Sequence, residues 1–389
     1  MRPSFRRLLA LIALGLLPAF AAAAPAPAAS EPAGPVSTQP TPATPTPATP
    51  TAATPTASTP APAPAQSARP AAPPAPMPLP HPLKPVSVIT FAGGFDLPLW
   101  IAERQGYFAA QGIDVRITYT PGSIYEMSNL IAGTYDIGMA AFDNVVAYDE
   151  GQGEWPVPPN PDVVAVLGED DGFLSLVSQK PYPTIASLRG KTLSVDAMTT
   201  GFAFVLEALL AKNGIQPNEV HFVKKGGSAL RFHDMLKDKA VAATIQITPF
   251  DLLSAAHGMH VLARVSDALG PYQGQVAAVR RAWAMQHRDE VIGFIRAYRQ
   301  AVDWLYQPAN RQVAAAILVA HLPAMTFPLA NKTLDVLLAP KGGLARDAMP
   351  NMAGVRLVLA LRTKYGTPSK VLNNPMQYLD LSYLNAAAH

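Results

Sequence analysis

Val86-Ser87-Val88-Ile89-Thr90-Phe91-Ala92-Gly93-Gly94-Phe95-Asp96-Leu97-Pro98-Leu99-Trp100-Ile101-Ala102 decides the fold. Its first part is a β-branched and aromatic run, the composition of a short strand, and it ends at a Gly-Gly pair where the backbone can turn sharply. Its second part sets Asp96 in N-cap position ahead of a proline in the first helical turn, where the missing N–H costs nothing. That helix should stop near Gly106. Two more strand-helix units follow directly. Residues 115–120 alternate apolar and polar, break at Pro121-Gly122, and lead into Ser123-Ile124-Tyr125-Glu126, which has the spacing of a capping box and opens a helix running to Gly133. Residues 135–141 form a third, buried strand that delivers Phe142-Asp143-Asn144 to a helix ending at Gly151.

Strands alternating with helices over short connections imply an α/β fold with parallel sheets and right-handed crossovers. Ligands of such sheets sit at the carboxyl ends of the strands, beside helix N-termini whose free N–H groups favour polar groups. Phe95, Asp96, Ser123, Phe142, Asp143 and Asn144 all fall at that edge. Asp96 and Ser123 also read equally well as simple caps.

The rhythm continues downstream. Residues 163–167 form a strand ending in Glu169-Asp170-Asp171-Gly172-Phe173, and residues 174–178 form the strand that starts a crossing into a second lobe. The three adjacent carboxylates lack a second cluster at metal-ligand spacing, so a solvated turn accounts for at least two of them. In the second lobe, the strand at 192–196 leads through Thr199-Thr200-Gly201-Phe202 to a helix over 203–212, with Thr199 or Thr200 as its cap and Gly201 permitting close approach. Lys224-Lys225-Gly226-Gly227-Ser228 precedes the next helix; its lysines could bind an anion, but a charged, solvated turn is the commoner meaning and the lysines are left out of the site. Residues 241–247 end at Thr248-Pro249-Phe250-Asp251, a helix start. A strand at 260–265 and the return crossing at 267–274 precede a strand at 275–280. Two crossings make a two-segment hinge. Beyond Trp283 the pattern becomes helical, over 288–306, 310–321, 331–338, 352–365 and 376–386, a tail expected to pack on lobe one. Lobe one is expected to comprise 86–178 and 272–389, and lobe two 179–271. The candidate ligand-binding set is Phe95, Asp96, Ser123, Phe142, Asp143, Asn144, Glu169, Asp170, Asp196, Thr199, Thr200, Gly201, Phe202 and Thr248.

Composition bounds the rest. The 389 residues are ample for two lobes. Residues 1–23 carry arginines, an apolar run over 8–17 and small residues around Ala21-Ala22-Ala23, the three parts of a secretory signal cut after Ala23. The run is too short to span a bilayer, which needs about 20 residues; a retained anchor is the alternative. Of 30 Lys and Arg, Arg2, Arg6 and Arg7 lie in that leader, so the mature chain, with 27 Asp and Glu, is close to neutral. Neither nucleic acid nor an anionic membrane surface is indicated as partner. With no cysteine in the sequence, neither a disulfide nor a lipid-modified cysteine is available. Residues 24–85 are dominated by Pro, Ala, Thr and Ser, a composition that cannot bury a core and reads as a disordered linker, either a spacer or featureless.

The residues from Leu97 through Gly106-Tyr107-Phe108 to Gly112-Ile113-Asp114-Val115, then Leu130-Ile131-Ala132-Gly133-Thr134-Tyr135-Asp136-Ile137-Gly138, and Ile185-Ala186-Ser187-Leu188-Arg189-Gly190-Lys191, resemble a known family. It is the nitrate, sulfonate, taurine and thiamine-precursor solute-binding proteins of ABC importers, and the resemblance covers roughly residues 86–366. It implies the two-lobed type II periplasmic binding protein fold and an importer role, with a permease as partner; the signal sequence and the absence of cysteine add the expectation of a monomer free in the periplasm, and no cofactor or metal is expected.

No Gly-x-Ser-x-Gly elbow, P-loop, His-Glu-x-x-His or cysteine nucleophile is present. A thiamine-pyrimidine synthase of the same fold depends on cysteine and histidine, and the absence of cysteine weighs against it. Three readings remain: a solute receptor for an importer, an enzyme of the same fold, and a sensory co-receptor. The strand ends carry Asp96, Asp143, Glu169, Asp170 and Asp196 beside Phe95, Phe142, Phe173 and Phe202. An unpaired carboxylate in a dry cleft is costly unless a ligand donor meets it. These residues therefore favour a neutral or amine-bearing, ring-containing solute over a simple oxyanion, unless the acids cap helices or face solvent.

Overall fold

The computed structural model describes residues 82–388. The leader and nearly all of the Pro-rich segment lie outside the described residues. In lobe one, β1 (Lys84–Thr90), α1 (Leu97–Arg104), α2 (Tyr107–Ala110), β2 (Ile113–Tyr119), α3 (Ser123–Ala132), β3 (Ile137–Ala141), α4 (Phe142–Asp149) and β4 (Val163–Gly168) follow one another. β1 begins two residues before the boundary expected at Val86. Lobe two holds β5 (Leu174–Ser178), β6 (Thr192–Val195), α5 (Gly201–Lys212), β7 (His221–Lys224), α6 (Ser228–Lys237), β8 (Val241–Ile247), α7 (Phe250–Ala256), β9 (His260–Arg264) and α8 (Val265–Leu269). The chain then returns through β10 (Gln275–Arg280) to the helices α9 (Arg281–Gln286), α10 (Arg288–Leu305), α11 (Arg311–His321), α12 (Phe327–Leu337), α13 (Met352–Tyr365) and α14 (Ser382–Ala387).

The strands form two five-stranded sheets, ordered β2-β1-β3-β10-β4 and β7-β6-β8-β5-β9. Each sheet is parallel except for one strand, β10 in the first and β5 in the second, which runs against both its neighbours. These reversed strands are the ones on which the chain arrives from the other lobe. Because β5 pairs with β8 and β9, residues 174–178 belong to the second sheet and not to lobe one as the sequence suggests. The first crossing is therefore 169–173, and the second is 270–274.

Burial explains why the strands read so clearly. Every residue of β3, β4, β5 and β8 is buried, as expected of strands covered by helices on both faces. The tail is less confined than expected. α10 and α11 pack on α1, and α14 on α10, but α12 meets α7 and α13 meets α5, so the tail also touches lobe two. α12 starts at Phe327, ahead of the expected 331, because Thr326 caps it, accepting from the Leu329 N–H at 3.4 Å, with Pro328 in the first turn. α14 starts at Ser382 and not at 376, after a separate single turn, Pro375–Tyr378.

Candidate functional site

The two sheets turn the carboxyl ends of their strands toward a cavity between the lobes. Phe91, Phe95, Ala141, Asn144 and Gln275 wall it from lobe one, and Asp196, Thr200, Gly201, Phe202, Gly227, Ser228, Arg231 and Ile247 from lobe two. Its volume is about 30 Å³, room for one or two waters and far below the roughly 300–1,000 Å³ of ordinary ligand pockets. The cleft is shut, and a solute enters only if the lobes part.

Contacts across the cleft hold it shut. The Asp143 carboxylate of α4 accepts from the Gly201 N–H at the start of α5. In the opposite sense, Asp196 after β6 accepts from the Ser123 N–H at the start of α3, at 3.1 Å. Each lobe thus presents a carboxylate to a helix N-terminus of the other, where the dipole and free N–H groups favour negative charge. The Gly227 N–H also donates to Pro121 O at 3.0 Å. Gly201 is required by this proximity, since a Cβ there would lie 2.2 Å from Tyr272 Oη and 2.4 Å from Asp143 Cγ. Arg362 of α13 completes the closure: its Nε donates to Asp143 Oδ1 at 2.7 Å, its Nη1 to Gln152 Oε1 at 3.0 Å, and its Nη2 to Thr199 O. Both members of that ion pair are buried.

Six residues of the candidate set, Phe95, Asn144, Asp196, Thr200, Gly201 and Phe202, line the cavity. The remainder are placed elsewhere, for identifiable reasons. Asp96 is buried, accepting from Thr90 Oγ1 at 2.8 Å and the Gly93 N–H at 2.9 Å; it ties the turn after β1 and makes no cap bond to α1. Burial pushes its carboxyl well above the usual range. Ser123 is the first residue of α3 and contributes its backbone N–H, with Gly122 as the N-cap, and Glu126 forms no capping box. Phe142 packs edge-on against Tyr378. Asp143 and Thr199 O are occupied by Arg362. Thr200 precedes α5 but its hydroxyl donates to Ala197 O instead of capping.

The run Glu169-Asp170 is not a solvated turn. Glu169 is buried with Oε1 accepting from Tyr298 Oη at 3.0 Å, and burial beside Asp170 raises its carboxyl well above the ordinary range. Asp170 joins the two crossings, accepting from the Gly172 N–H at 2.7 Å and the Gln275 N–H at 2.9 Å. Burial lifts it to about 7. Thr248 faces a different cavity, shared with Phe173, Ser175 and Arg264. Of the five acids expected to make the cleft acidic, only Asp196 lines the cavity: Asp96 bonds within its own turn, Glu169 with Tyr298, Asp170 with the two crossings, and Asp143 is held by Arg362 and, across the cleft, by the Gly201 N–H.

Arg231 is a charged residue of the cavity wall that sequence reading missed. It lies one turn into α6, 1% exposed, and lines the cavity. Its Nε donates to Thr244 Oγ1 at 2.9 Å, its Nη2 to Ser228 Oγ at 3.0 Å and Ile245 O at 2.9 Å, and its Nη1 to Gly226 O. The signal was the Gly226-Gly227-Ser228 turn followed by arginine at i+3 from the serine. Among the described residues no group of three or more His, Cys, Asp or Glu could hold a metal ion.

A family model described as NMT1/THI5 like matches residues 96–311. The protein YtlA of Bacillus subtilis (strain 168) is 22% identical over 229 residues, covering 57% of this chain. The match spans 66% of YtlA, slightly under two thirds of its length. Among solved structures, the periplasmic nitrate-binding protein NrtA of Synechocystis PCC 6803 superposes with a TM-score of 0.66 at 13% identity, covering 79% of this chain and 89% of its own. The ligand-binding component of an ABC-type import system from Staphylococcus aureus, solved with zinc bound, gives 0.63 at 12% identity, covering 78% and 99%. The desulfurization enzyme DSZB gives 0.53 at 12% identity, covering 78% and 99%, so the fold by itself hosts both binding and catalysis. These likenesses establish the two-lobed architecture.

Proposed function

This chain belongs to the NMT1/THI5-like family, and from that premise we propose that it is a solute-binding protein which captures a small organic molecule between its lobes and delivers it to an ABC importer. Its place is the periplasm and its partner a permease, met through the lobe surfaces. The observation that carries this reading is the cavity walled by both lobes, at the carboxyl ends of the strands and beside the two crossings. The arrangement suits a clamp that closes around a ligand, as periplasmic binding proteins do by hinge motion. The hydroxyls of the wall are engaged, Ser228 accepting from Arg231 and Thr200 donating to Ala197 O, and the sequence has no cysteine to act as a nucleophile, which favours the receptor over an enzyme of the same fold.

The test is a thermal-shift screen of amines, carboxylates, sulfonates, nitrate and aminopyrimidines, with small-angle scattering on each hit. A genuine ligand at a hundred times its Kd stabilises by about 2.7 kcal/mol and should reduce the radius of gyration. An unchanged radius at saturation, or conversion of the hit into product, would overturn the receptor reading.

A further inference from the structure

The two crossings run side by side as a short antiparallel ribbon. The Glu169 N–H donates to Gln275 O at 2.9 Å, the Gly274 N–H to Asp170 O at 3.1 Å, and the Tyr272 N–H to Asp171 O at 3.4 Å. One side chain staples that ribbon. The Asp170 carboxylate takes the Gly172 N–H on Oδ1 and the Gln275 N–H on Oδ2, so it ties the first crossing both to itself and to the end of the second. Gly274 leaves room for it, since a Cβ there would run into Asp170 Oδ1. Hinges bend at a few loop residues that absorb large torsion changes. Gly172, at φ +83°, is the residue of the first crossing with that freedom, and its N–H is the one that Asp170 holds.

Asp170 is 1% exposed, and neither it nor Glu169 meets a Lys, Arg or His within 4.0 Å among the described residues. The groups that face it are acids and phenols. Glu169 and Asp171 flank it, Asp171 accepting from Asn351 Nδ2 at 2.9 Å. Tyr272 comes from the second crossing, Tyr298 from α10, and Asp96, in the turn after β1, faces Glu169. The loop after α12 bonds to Glu169 O through the Ala345 N–H and brings Arg346, but that side chain is exposed and lies over Tyr306. Each Asp170 oxygen already accepts an N–H, so a proton weakens one of the two bonds, whereas its loss leaves a buried charge. Burial is the larger cost and lifts the carboxyl to about 7.

We infer that Asp170 is a proton-sensitive pin of the hinge: ionised, it is relieved when the crossings bend and admit water, so the lobes part more readily without its proton and closure takes that proton up. This rests on the receptor reading and adds a regulation of its closure. The sign follows from linkage. An acid whose pKa is higher in the closed hinge than in the open one favours closure at low pH, and the advantage fades as pH rises from the open value to the closed one. With the open value near the roughly 3.9 of a free aspartate, closure weakens as pH approaches about 7 and is level above it. The fall is at most about tenfold per pH unit, the limit for one proton.

The chain has no cysteine, so Arg104→Cys on lobe one and Asn218→Cys on lobe two, both exposed, accept one fluorophore each. Energy transfer in the ligand-free mature chain then reports the lobe separation from about pH 5 to 8. The closed fraction should fall as pH rises to about 7 and hold steady above it. Asp170→Asn, which keeps the shape without the charge, should flatten the curve. Glu169→Gln should leave it in place, since burial keeps Glu169 protonated over this range. Should Asp170→Asn fail to fold, the side-chain carboxyl 13C resonance of Asp170 in the wild type replaces it and should titrate over the same range as the energy transfer. A wild-type curve without pH dependence, a curve that Glu126→Gln flattens and Asp170→Asn does not, or a carboxyl that titrates apart from the lobe motion overturns the inference. Lobes that close on a solute equally well at every pH would leave the receptor reading standing, whereas lobes that move with neither pH nor any solute of the screen remove that as well.

Discussion

Glu126 sits in the first turn of α3, fully buried, with neither carboxyl oxygen meeting a donor. The spacing from Ser123 promised a capping box, but α3 begins at Ser123 itself, so Glu126 is turned inward one position too late to reach back. Burial, and the neighbouring charges of Asp196 and Asp96, hold its carboxyl well above the usual range. The sign follows from linkage: an acid whose folded pKa is raised gives its full stability below the unfolded value, roughly 4.3 for glutamate, and loses it as pH rises toward the folded value. Glu126→Gln should therefore gain on the wild type as pH climbs through that window, read as a diverging urea midpoint. Parallel midpoints from acid to alkaline pH would show that Glu126 finds a partner. Arg362 makes the opposite case. Its removal as Arg362→Met leaves Asp143 buried and uncompensated, a loss of about 3–5 kcal/mol, and Asp143→Leu in the same chain should recover most of it. Chemical denaturation of the two single variants and the double variant measures the coupling. Such a pair could not be read from sequence, because 219 residues separate its members and nothing local to either marks the other.

Helix starts show which signals carry through to structure and which do not. β8 and α13 occupy the spans expected of them, since a wholly buried, mostly apolar strand and a long helix with a buried stripe are settled by burial. Thr200 and Asp96 stand at the N-termini their sequence suggested, yet neither side chain caps, because each hydrogen-bonds within its own turn. The free N–H groups of α3 and α5 are instead met from the facing lobe. Six of the fourteen candidate residues could be placed at the cavity because the topology puts strand ends there. Arg231 could not, because nothing local to it marks a side chain buried in a helix and turned into the cavity. Gly201→Ala tests the contact at α5 directly. A methyl group cannot fit beside Asp143 and Tyr272, so the lobes cannot close fully, and scattering at saturating ligand should give a larger radius of gyration for the variant than for the wild type. Identical curves at saturation would mean that the contact at α5 is not part of the closed state.

At the scale of the whole molecule, the described residues run from β1 to α14, both in lobe one, and lobe two is an excursion between β4 and β10. Residues 1–81 contain a Pro-, Ala-, Thr- and Ser-rich stretch with no apolar face to dock. A chain starting at Pro82 should melt at the same temperature as the mature protein, and a clear drop by calorimetry would give the missing stretch a structural role.

The placement of β10 has one further consequence. β3 and β4 are not neighbours; β10 lies between them and bonds to both. As the chain leaves the ribosome, all of residues 169–274 must appear before the strand that fills that space. Until then β3 and β4 carry bare backbone edges, the kind that recruit other chains. The inserted half can settle early around its own sheet, while the half made first has to wait, and a holdase would find its substrate in the older part of the polypeptide.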